Sequence, residues 1–417
     1  MLSAGDTVEL TIEKPAAGGH MVARLDGQVV LVAGAIPGER AQARIERLSK
    51  GVAFARTIAV VEPSPDRREP FVDPLCGGSL YSYIAYPRQL ALKSEIIADA
   101  FRRIGRLQLP GAVAVAPSPE EGYRMRARLH VRAHTLGFFR EGTHEICGAR
   151  ATRQLLPASC DVLDRLSAAM RSVGDEAIRE VELSENVDAS QRVIHLETAQ
   201  PIDARLTAKL VSIDGLTPGP YVTDTFRIGD ASLTLRRHVL AFFQGNRYLL
   251  ETLVTHVTER VPIGGSLCDF YAGVGLFAVS AAAARAATVL AVEGDPNAAD
   301  DLHANGASAN AKMTTVRGPV EGFTESAFRM LGRRRGSRPL VETVIVDPPR
   351  TGMSREALDA VLLTQAPRFV YVSCDVATLA RDARRLVDAG YTIDRVDAFD
   401  LFPNTPHVET VVVFTRR

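Results

Sequence analysis

The segment from Ser266 to Phe277, S-L-C-D-F-Y-A-G-V-G-L-F, constrains this chain more than any other. A short apolar run enters two glycines spaced G-x-G, Gly273 and Gly275, and an alanine-rich run from Ala278 to Ala287 follows with helical character. Strand, glycine turn and helix in that order open a doubly wound α/β sheet, where a ligand approaches the turn backbone closely. The next apolar run, Thr288 to Val292, ends at Glu293. A carboxylate there can accept hydrogen bonds from two ribose hydroxyls. Ala278 fills the third position of the dinucleotide pattern, so this loop alone leaves NAD open.

Strands are expected near Leu267–Tyr271, Val289–Glu293, Thr314–Val316, Thr343–Val346, Phe369–Ser373, Thr392–Ala398 and Glu409–Phe414. Only Phe399 to Val408 separates the last two, too little for a crossover helix, so they pair antiparallel. A seven-stranded sheet with one reversed strand is unlike a nicotinamide dehydrogenase. It is the class I methyltransferase arrangement, with S-adenosylmethionine over the glycine turn. The run Arg333-Arg334-Arg335 falls in a loop of this region and reads as solvated.

Chemistry concentrates at the carboxyl ends of these strands, where open α/β sheets place their ligand crevice. Asp347 ends the fourth strand within V-I-V-D-P-P-R, and two prolines stiffen the loop after it. Amine methyltransferases usually follow D-P-P with an aromatic, whereas Arg350 stands here. Cys374 ends the fifth strand, ahead of a helix beginning near Ala377. A lone cysteine is commonly a small buried hydrophobe, but a helix terminus predicts a lowered thiol pKa. A thiolate beside a methyl donor is the apparatus for methylating carbon 5 of a pyrimidine. Glu409, in D-L-F-P-N-T-P-H-V-E-T, can supply the base. Spacing alone favours reading it as a surface carboxylate.

The N-terminal third is built differently. Apolar runs at Thr7–Glu13, Met21–Leu25, Gln28–Val32, Arg40–Ile45 and Val52–Val61 predict five short strands, with Asp26-Gly27 as a hairpin turn. They suggest a small barrel of the oligonucleotide-binding kind, or a barrel that is structural only. Pro63 to Asp66 reads as the linker out of it. Gln89 to Ile104 has helical spacing, and Tyr123 to His134 carries Arg124, Arg126, Arg128, His130, Arg132 and His134 at every second position. On a strand these share one face. That face is either solvated among acidic neighbours or a phosphate-contacting stripe. Lys plus Arg and Asp plus Glu both number 49, so a nucleic-acid surface must be local, and the stripe of Arg124, Arg126, Arg128 and Arg132 is the candidate. The start of the chain lacks a secretory pattern, and no stretch is long and apolar enough to span a membrane. Five dispersed cysteines fit a reduced, cytoplasmic protein.

Together F-F-Q-G-N (Phe242 to Asn246), D-F-Y-A-G-V-G-L-F, D-P-P-R-T-G, V-S-C-D and F-P-N-T-P-H-V-E-T resemble the RNA uracil-5-methyltransferases. Their order and spacing cover the C-terminal part of the chain. The resemblance implies Cys374 as nucleophile and Glu409 as base. It implies Gln244, Tyr271, Gly273, Gly275, Glu293 and Asp347 in the S-adenosylmethionine site, and Phe242 against the target base. The barrel resembles the TRAM domain of ribosomal-RNA members, which tilts the substrate towards 23S ribosomal RNA, with transfer RNA as the alternative. An RNA cytosine-5-methyltransferase would typically add a cysteine to the fourth-strand motif, and none is present. A non-catalytic RNA-binding module would not need Cys374 and Glu409 beside an intact glycine turn. Members with an iron–sulfur cluster carry C-x5-C-G-G-C before Q-L-x-x-K. Here Pro70 and Ser79 replace two of those cysteines, leaving Cys76 and Cys147, so no cluster and no other metal is expected. The expected division is residues 1–65 as barrel, 66–235 as a mixed α+β domain whose segment at about 86–110 packs on the catalytic domain, and 236–417 as methyltransferase, acting as a monomer.

Overall fold

The computed structural model describes residues 2–174, 176–323 and 339–416. Arg333 to Arg335 lie outside the described residues. Five strands close the barrel: β1 (Thr7–Pro15), β2 (Met21–Leu25), β3 (Gln28–Ala33), β4 (Arg40–Ser49) and β5 (Val52–Glu62), in the order β1-β2-β3-β5-β4. Asp26 and Gly27 both take positive φ, as a tight two-residue hairpin demands. Period-two alternation turns Leu10, Ile12, Val30, Val32, Ala43 and Ile45 inward. Tyr81, Tyr83, Ile84 and Leu92 complete that core. Residues on both sides of the expected boundary at 65 therefore share one core. The fully buried Glu39 reinforces the join by taking both Arg67 Nε and Arg67 Nη2.

Next come α1 (Tyr86–Ala100), continued by one wide turn at Phe101–Gly105, and β6 (Val115–Ala116). The central sheet has the order β11-β10-β7-β8-β9, from β7 (Arg126–Arg132), β8 (Thr135–Phe139), β9 (Ile146–Gly148), β10 (Ile178–Glu185) and β11 (Arg192–Thr198). Helices α2 (Pro157–Val173) and α3 (Ala204–Leu210) cover its apolar face.

The hairpin β12 (Tyr221–Ile228) and β13 (Ala231–His238) leads to α4 (Leu250–Thr258). Then follow β14 (Ser266–Phe270), α5 (Leu276–Arg285), β15 (Thr288–Glu293), α6 (Pro296–Ser308) and β16 (Met313–Arg317). After the undescribed segment come β17 (Thr343–Val346), α7 (Arg355–Leu362), β18 (Arg368–Ser373), α8 (Val376–Asp388), β19 (Thr392–Phe399) and β20 (Glu409–Thr415). The sheet runs β16-β15-β14-β17-β18-β20-β19-β6, with β20 antiparallel to both its neighbours.

Two expectations need correction. The sheet has eight strands among the described residues, not seven, because Val115 and Ala116 pair with Ala398 and Phe399. Two residues carry too little pattern to read as a strand, yet they cover what would otherwise be the open edge of β19. The expected boundary at 235/236 also cuts β13. Phe226, Leu233 and Leu235 of that hairpin pack with Leu250, Leu253 and Val254 of α4, so the hairpin buries most of its apolar side with the catalytic sheet, while Val222 packs on Val193 of the central sheet. The other side of the sheet packs α7 and α8 together with Ile97, Ala100 and Phe101.

Candidate active site

A cavity of about 640 Å³ opens at the carboxyl ends of β14, β15, β17 and β18. Gly273 and Gly275 turn the chain from β14 into α5, and both take positive φ. A side chain on Gly275 would strike Val279 and Leu302, whereas Gly273 faces open space. Glu293 accepts the Gly273 N–H at 2.7 Å through Oε2 and the Asp295 N–H at 2.6 Å through Oε1. The carboxylate is thereby aimed along the glycine turn, with lone pairs left for ribose hydroxyls. Gln244 Nε2 donates to Asp347 Oδ2 at 3.1 Å across the same cavity.

The F-F-Q-G-N segment is held from behind. Asn246 donates to Ser118 Oγ and the Leu401 carbonyl, while its Oδ1 accepts from the N–H groups of Tyr248 and Leu249. Arg247 is anchored on the buried Glu185. With that backbone fixed, Gln244 points inward and Phe242 stands 62% exposed at the mouth.

Cys374 and Glu409 line the cavity with Asp347 and Arg350. Glu409 is only 2% exposed, and its Oε1 has no hydrogen-bond partner among the described residues. That overturns the surface-carboxylate reading. Burial, and then the neighbouring Asp347, push Glu409 well above the usual carboxylate range, against the opposing pull of Arg350. Burial raises Asp347 to about 7, partly offset by Gln244. The thiol of Cys374 is pushed up to about 12, first by burial and then by Glu409 and Asp347, with Arg350 opposing. The expected lowering by the helix terminus is therefore corrected. The N-terminus of α8 is occupied by its own cap, since Asp375 Oδ1 accepts the Thr378 N–H at 2.8 Å. Burial first, and the two carboxyl groups after it, outweigh what dipole remains.

Ten of the expected residues line this cavity: Arg124, Arg126, Phe242, Gln244 and Tyr271, with Gly273, Glu293, Asp347, Cys374 and Glu409. Gly275 caps α5 just behind it. Arg128 and Arg132 are not in its lining. The alternating face does bear acidic neighbours. Glu180 of β10 pairs with Arg128 at 2.5 Å and His130 at 3.0 Å, and Glu182 lies 3.5 Å from Arg128 and 4.0 Å from Arg126. Arg132 bonds the Val131 carbonyl. Arg124 bonds Gln154 and the Arg126 carbonyl beside the rings of Phe138 and Phe402. Sequence reasoning gave no role at the thiol to Arg350 and none to Phe402, although both stand inside the D-P-P-R and F-P-N-T-P-H-V-E-T motifs.

The cysteines also differ from expectation. Cys76 and Cys147, 71 positions apart, form a disulfide with Cα atoms 5.7 Å apart. The Cys76 loop is laid against the central sheet, its backbone bridging to Arg140 beyond β8, and Cys147 lies in the adjoining β9. The thiols that an iron–sulfur site would need are thus bonded to each other, and Ser79 is buried beside them in sequence. No group of three His, Cys, Asp or Glu able to hold a metal occurs among the described residues.

Residues 184–417 match the tRNA (Uracil-5-)-methyltransferase family, and residues 3–58 match the TRAM domain. The chain belongs to the tRNA (uracil-5-)-methyltransferase family. This uracil-5-methyltransferase is 32% identical to the 23S rRNA (uracil(1939)-C(5))-methyltransferase RlmD of Halomonas elongata, over 97% of this chain and 89% of that one. It is 31% identical to the RlmD of Pseudomonas putida over 98% of this chain and 94% of that one. An uncharacterized RNA methyltransferase of Nitratidesulfovibrio vulgaris is 29% identical over 99% and 97%. The fold is that of the Pyrococcus abyssi tRNA (uracil-54, C5)-methyltransferase, solved with S-adenosyl-L-homocysteine. The TM-score is 0.74 at 24% identity, with 97% and 99% of the two chains covered. As a uracil-5-methyltransferase of this family, the protein is an S-adenosylmethionine-dependent enzyme acting on RNA. No helix among the described residues is long and apolar enough to cross a membrane.

Proposed function

We propose that the protein methylates carbon 5 of one uridine in 23S ribosomal RNA, in the cytoplasm and as a monomer, with Cys374 as nucleophile and Glu409 as base. The observation that carries the chemistry is the meeting of Cys374 and Glu409 in one cavity with the glycine turn. The whole-length similarity to the RlmD enzymes favours the ribosomal substrate. The barrel and the Arg124–Arg126 side of the central sheet hold the RNA, and the chain from β12 onward carries the reaction.

Gly273, Glu293, Gln244 and Asp347 fit S-adenosylmethionine: open space over a glycine, acceptors for a ribose, and a half-buried carboxyl with a second oxygen beyond the one Gln244 holds. Tyr271 adds an aromatic wall. That group supplies an electrophilic methyl. Carbon 5 of uracil is too weak a nucleophile by itself. Cys374 gives up its proton to solvent, and its sulfur bonds carbon 6 as the pair of the 5,6 double bond shifts to carbon 5 and the carbonyl at carbon 4. Carbon 5 takes the methyl, and Glu409 then removes the carbon-5 proton. The electron pair of that C–H bond re-forms the 5,6 double bond as the C6–S bond breaks, leaving the thiolate. Phe242 offers its exposed ring to the target base. No iron–sulfur cluster takes part, a reading supported by Pro70, Ser79 and the Cys76–Cys147 bond.

The test is methyl transfer from labelled S-adenosylmethionine to unmodified 23S ribosomal RNA and to bulk transfer RNA. Label in 23S RNA as 5-methyluridine is expected. Label confined to transfer RNA would move the substrate, and 5-methylcytidine would sink the reading. In the same assay Glu409→Gln should accumulate a labelled covalent protein–RNA species that disappears when Cys374 is also replaced. Base removal typically slows a step by about a hundred- to ten-thousand-fold.

A further inference from the structure

The segment Asp400 to Val408 immediately precedes Glu409 and has no helix or strand of its own. Two cavity residues depend on it, Phe402 and Glu409. Strand pairing of Thr410 with Ser373 fixes the far side of Glu409. With Oε1 unpartnered, the carboxyl group must be aimed largely by its backbone.

That backbone is gripped by α1, an element far away in sequence. Gln89 Nε2 donates to Asn404 Oδ1 at 2.9 Å, and Gln89 Oε1 accepts the Asn404 N–H at 2.9 Å. The Asn404 carbonyl accepts from the Tyr81 N–H at 2.8 Å, and Arg68 adds a second donor to Oδ1 at 2.8 Å. Asn404 holds φ at +62°, a conformation its side-chain partners can stabilise. One turn along α1, Lys93 forms a fully buried ion pair with Asp400 and donates to the Phe402 carbonyl at 3.2 Å. Gln89 and Lys93 are four residues apart and so share one helix face. Gln89, Lys93 and Asp400 are all 0% exposed. A buried charge pair is weak evidence for stability, but it specifies one arrangement, because either partner alone would be left uncompensated.

We propose that Gln89 and Lys93 are positioning residues for the proton-removal step, holding the Asp400–Val408 segment so that Glu409 faces carbon 5, the neighbour of the carbon bonded to Cys374. Neither touches the reacting atoms. The inference rests on Glu409 being the base. Its signature is selective: loosening the grip slows release of the methylated RNA more than it slows attack and methylation. Misplacement of a reacting group by about 1 Å can cost roughly a hundred-fold.

The experiment is single-turnover methylation of a 23S ribosomal RNA transcript with labelled S-adenosylmethionine, scoring both methylation and the denaturation-resistant adduct. The variants are Gln89→Ala, Lys93→Met, Glu409→Gln, and Gln89→Ala combined with Glu409→Gln. Gln89→Ala and Lys93→Met should bind S-adenosylmethionine as wild type does, methylate within a few-fold, and release about ten- to a hundred-fold more slowly, the cost of misplacement. In the Glu409→Gln background, Gln89→Ala should slow release no further, because no base remains to be placed. Lys93→Met with Asp400→Asn removes both buried charges at near-constant volume and should recover much of the release rate. It also serves if a single variant fails to fold. If Glu409→Gln traps adduct while folded Gln89→Ala and Lys93→Met release at the wild-type rate, the positioning role is wrong. Multiplicative losses in the combined variant, or equal slowing of methylation and release, would likewise overturn it. Normal release by Glu409→Gln itself would instead remove the base assignment.

Discussion

Cys374 rests in this enzyme as a thiol. Burial and two carboxyl groups hold its pKa at about 12, and Arg350 pulls in the other direction. Arg350 acts the same way on Glu409, which burial and Asp347 raise. Because Arg350 favours the ionised form of both groups, Arg350→Met should raise both pKa values. The rising limb of the pH profile should then move to higher pH. At fixed neutral pH the ionised fraction of the thiol, and the rate with it, should fall about tenfold for every pH unit by which that limb moves. A limb that stays put or moves down would show that Arg350 does not govern ionisation. Cys374→Ala should abolish methyl transfer while S-adenosylmethionine binding stays within a few-fold, measured by calorimetry. Residual turnover would remove the thiol from the mechanism.

Among the elements, β7 carries the alternation of arginines, and β10 beside it decides what that alternation is worth. Register puts Arg128 opposite Glu182 and His130 opposite Glu180. Cross-strand pairs of this kind neutralise a cationic face in place. Arg126, nearer the cavity, is only loosely matched, with Glu182 at 4.0 Å. In RNA-binding titrations across salt, Arg126→Gln should lower the slope by somewhat under one unit, about 0.7 to 0.9 per lost phosphate contact. Arg128→Gln should leave it nearly unchanged. Equal slopes for both variants and wild type would assign the stripe to folding alone. The F-P-N-T-P-H-V-E-T segment shows the complementary case, an irregular loop made specific by α1.

Across the whole molecule, the catalytic sheet borrows from the segment between the barrel and its own first strand. Helix α1 covers one side of it, β6 extends its edge, and β12–β13 covers the other side. The Cys76–Cys147 link fastens the segment after the barrel to the central sheet. Closing a loop of that length restrains the unfolded chain by about 4 kcal/mol in the chain-entropy account. Replacing both cysteines by serine should therefore lower the denaturant midpoint markedly without altering the pH profile of methylation. An unchanged midpoint would mean that the bond is not formed in the folded protein. Metal analysis of the purified enzyme should return neither stoichiometric iron nor sulfide, and finding both would restore the cluster reading.

Elements whose causes are local are legible in the chain before it folds. Period-two and helical spacing set the barrel strands, the order of the catalytic strands and the glycine turn. The short gap between Thr392–Phe399 and Glu409–Thr415 dictated an antiparallel pair. Strand ends in such a sheet converge, which put Asp347 and Cys374 in one crevice with Glu409 at its edge, and the family resemblance added Gln244. Whatever depends on partners distant in the chain emerged only on folding. Glu409 looks like a surface carboxylate in sequence and is buried because α1 and β18 close over its segment. Cys374 follows a strand and precedes a helix, yet its pKa rises because desolvation and neighbouring carboxyls act through space. Arg124 to Arg132 share a face by local geometry, but only strand pairing brought Glu180 and Glu182 beside them. Charge and burial are set by all neighbours at once, and a linear pattern records only those nearby in the chain.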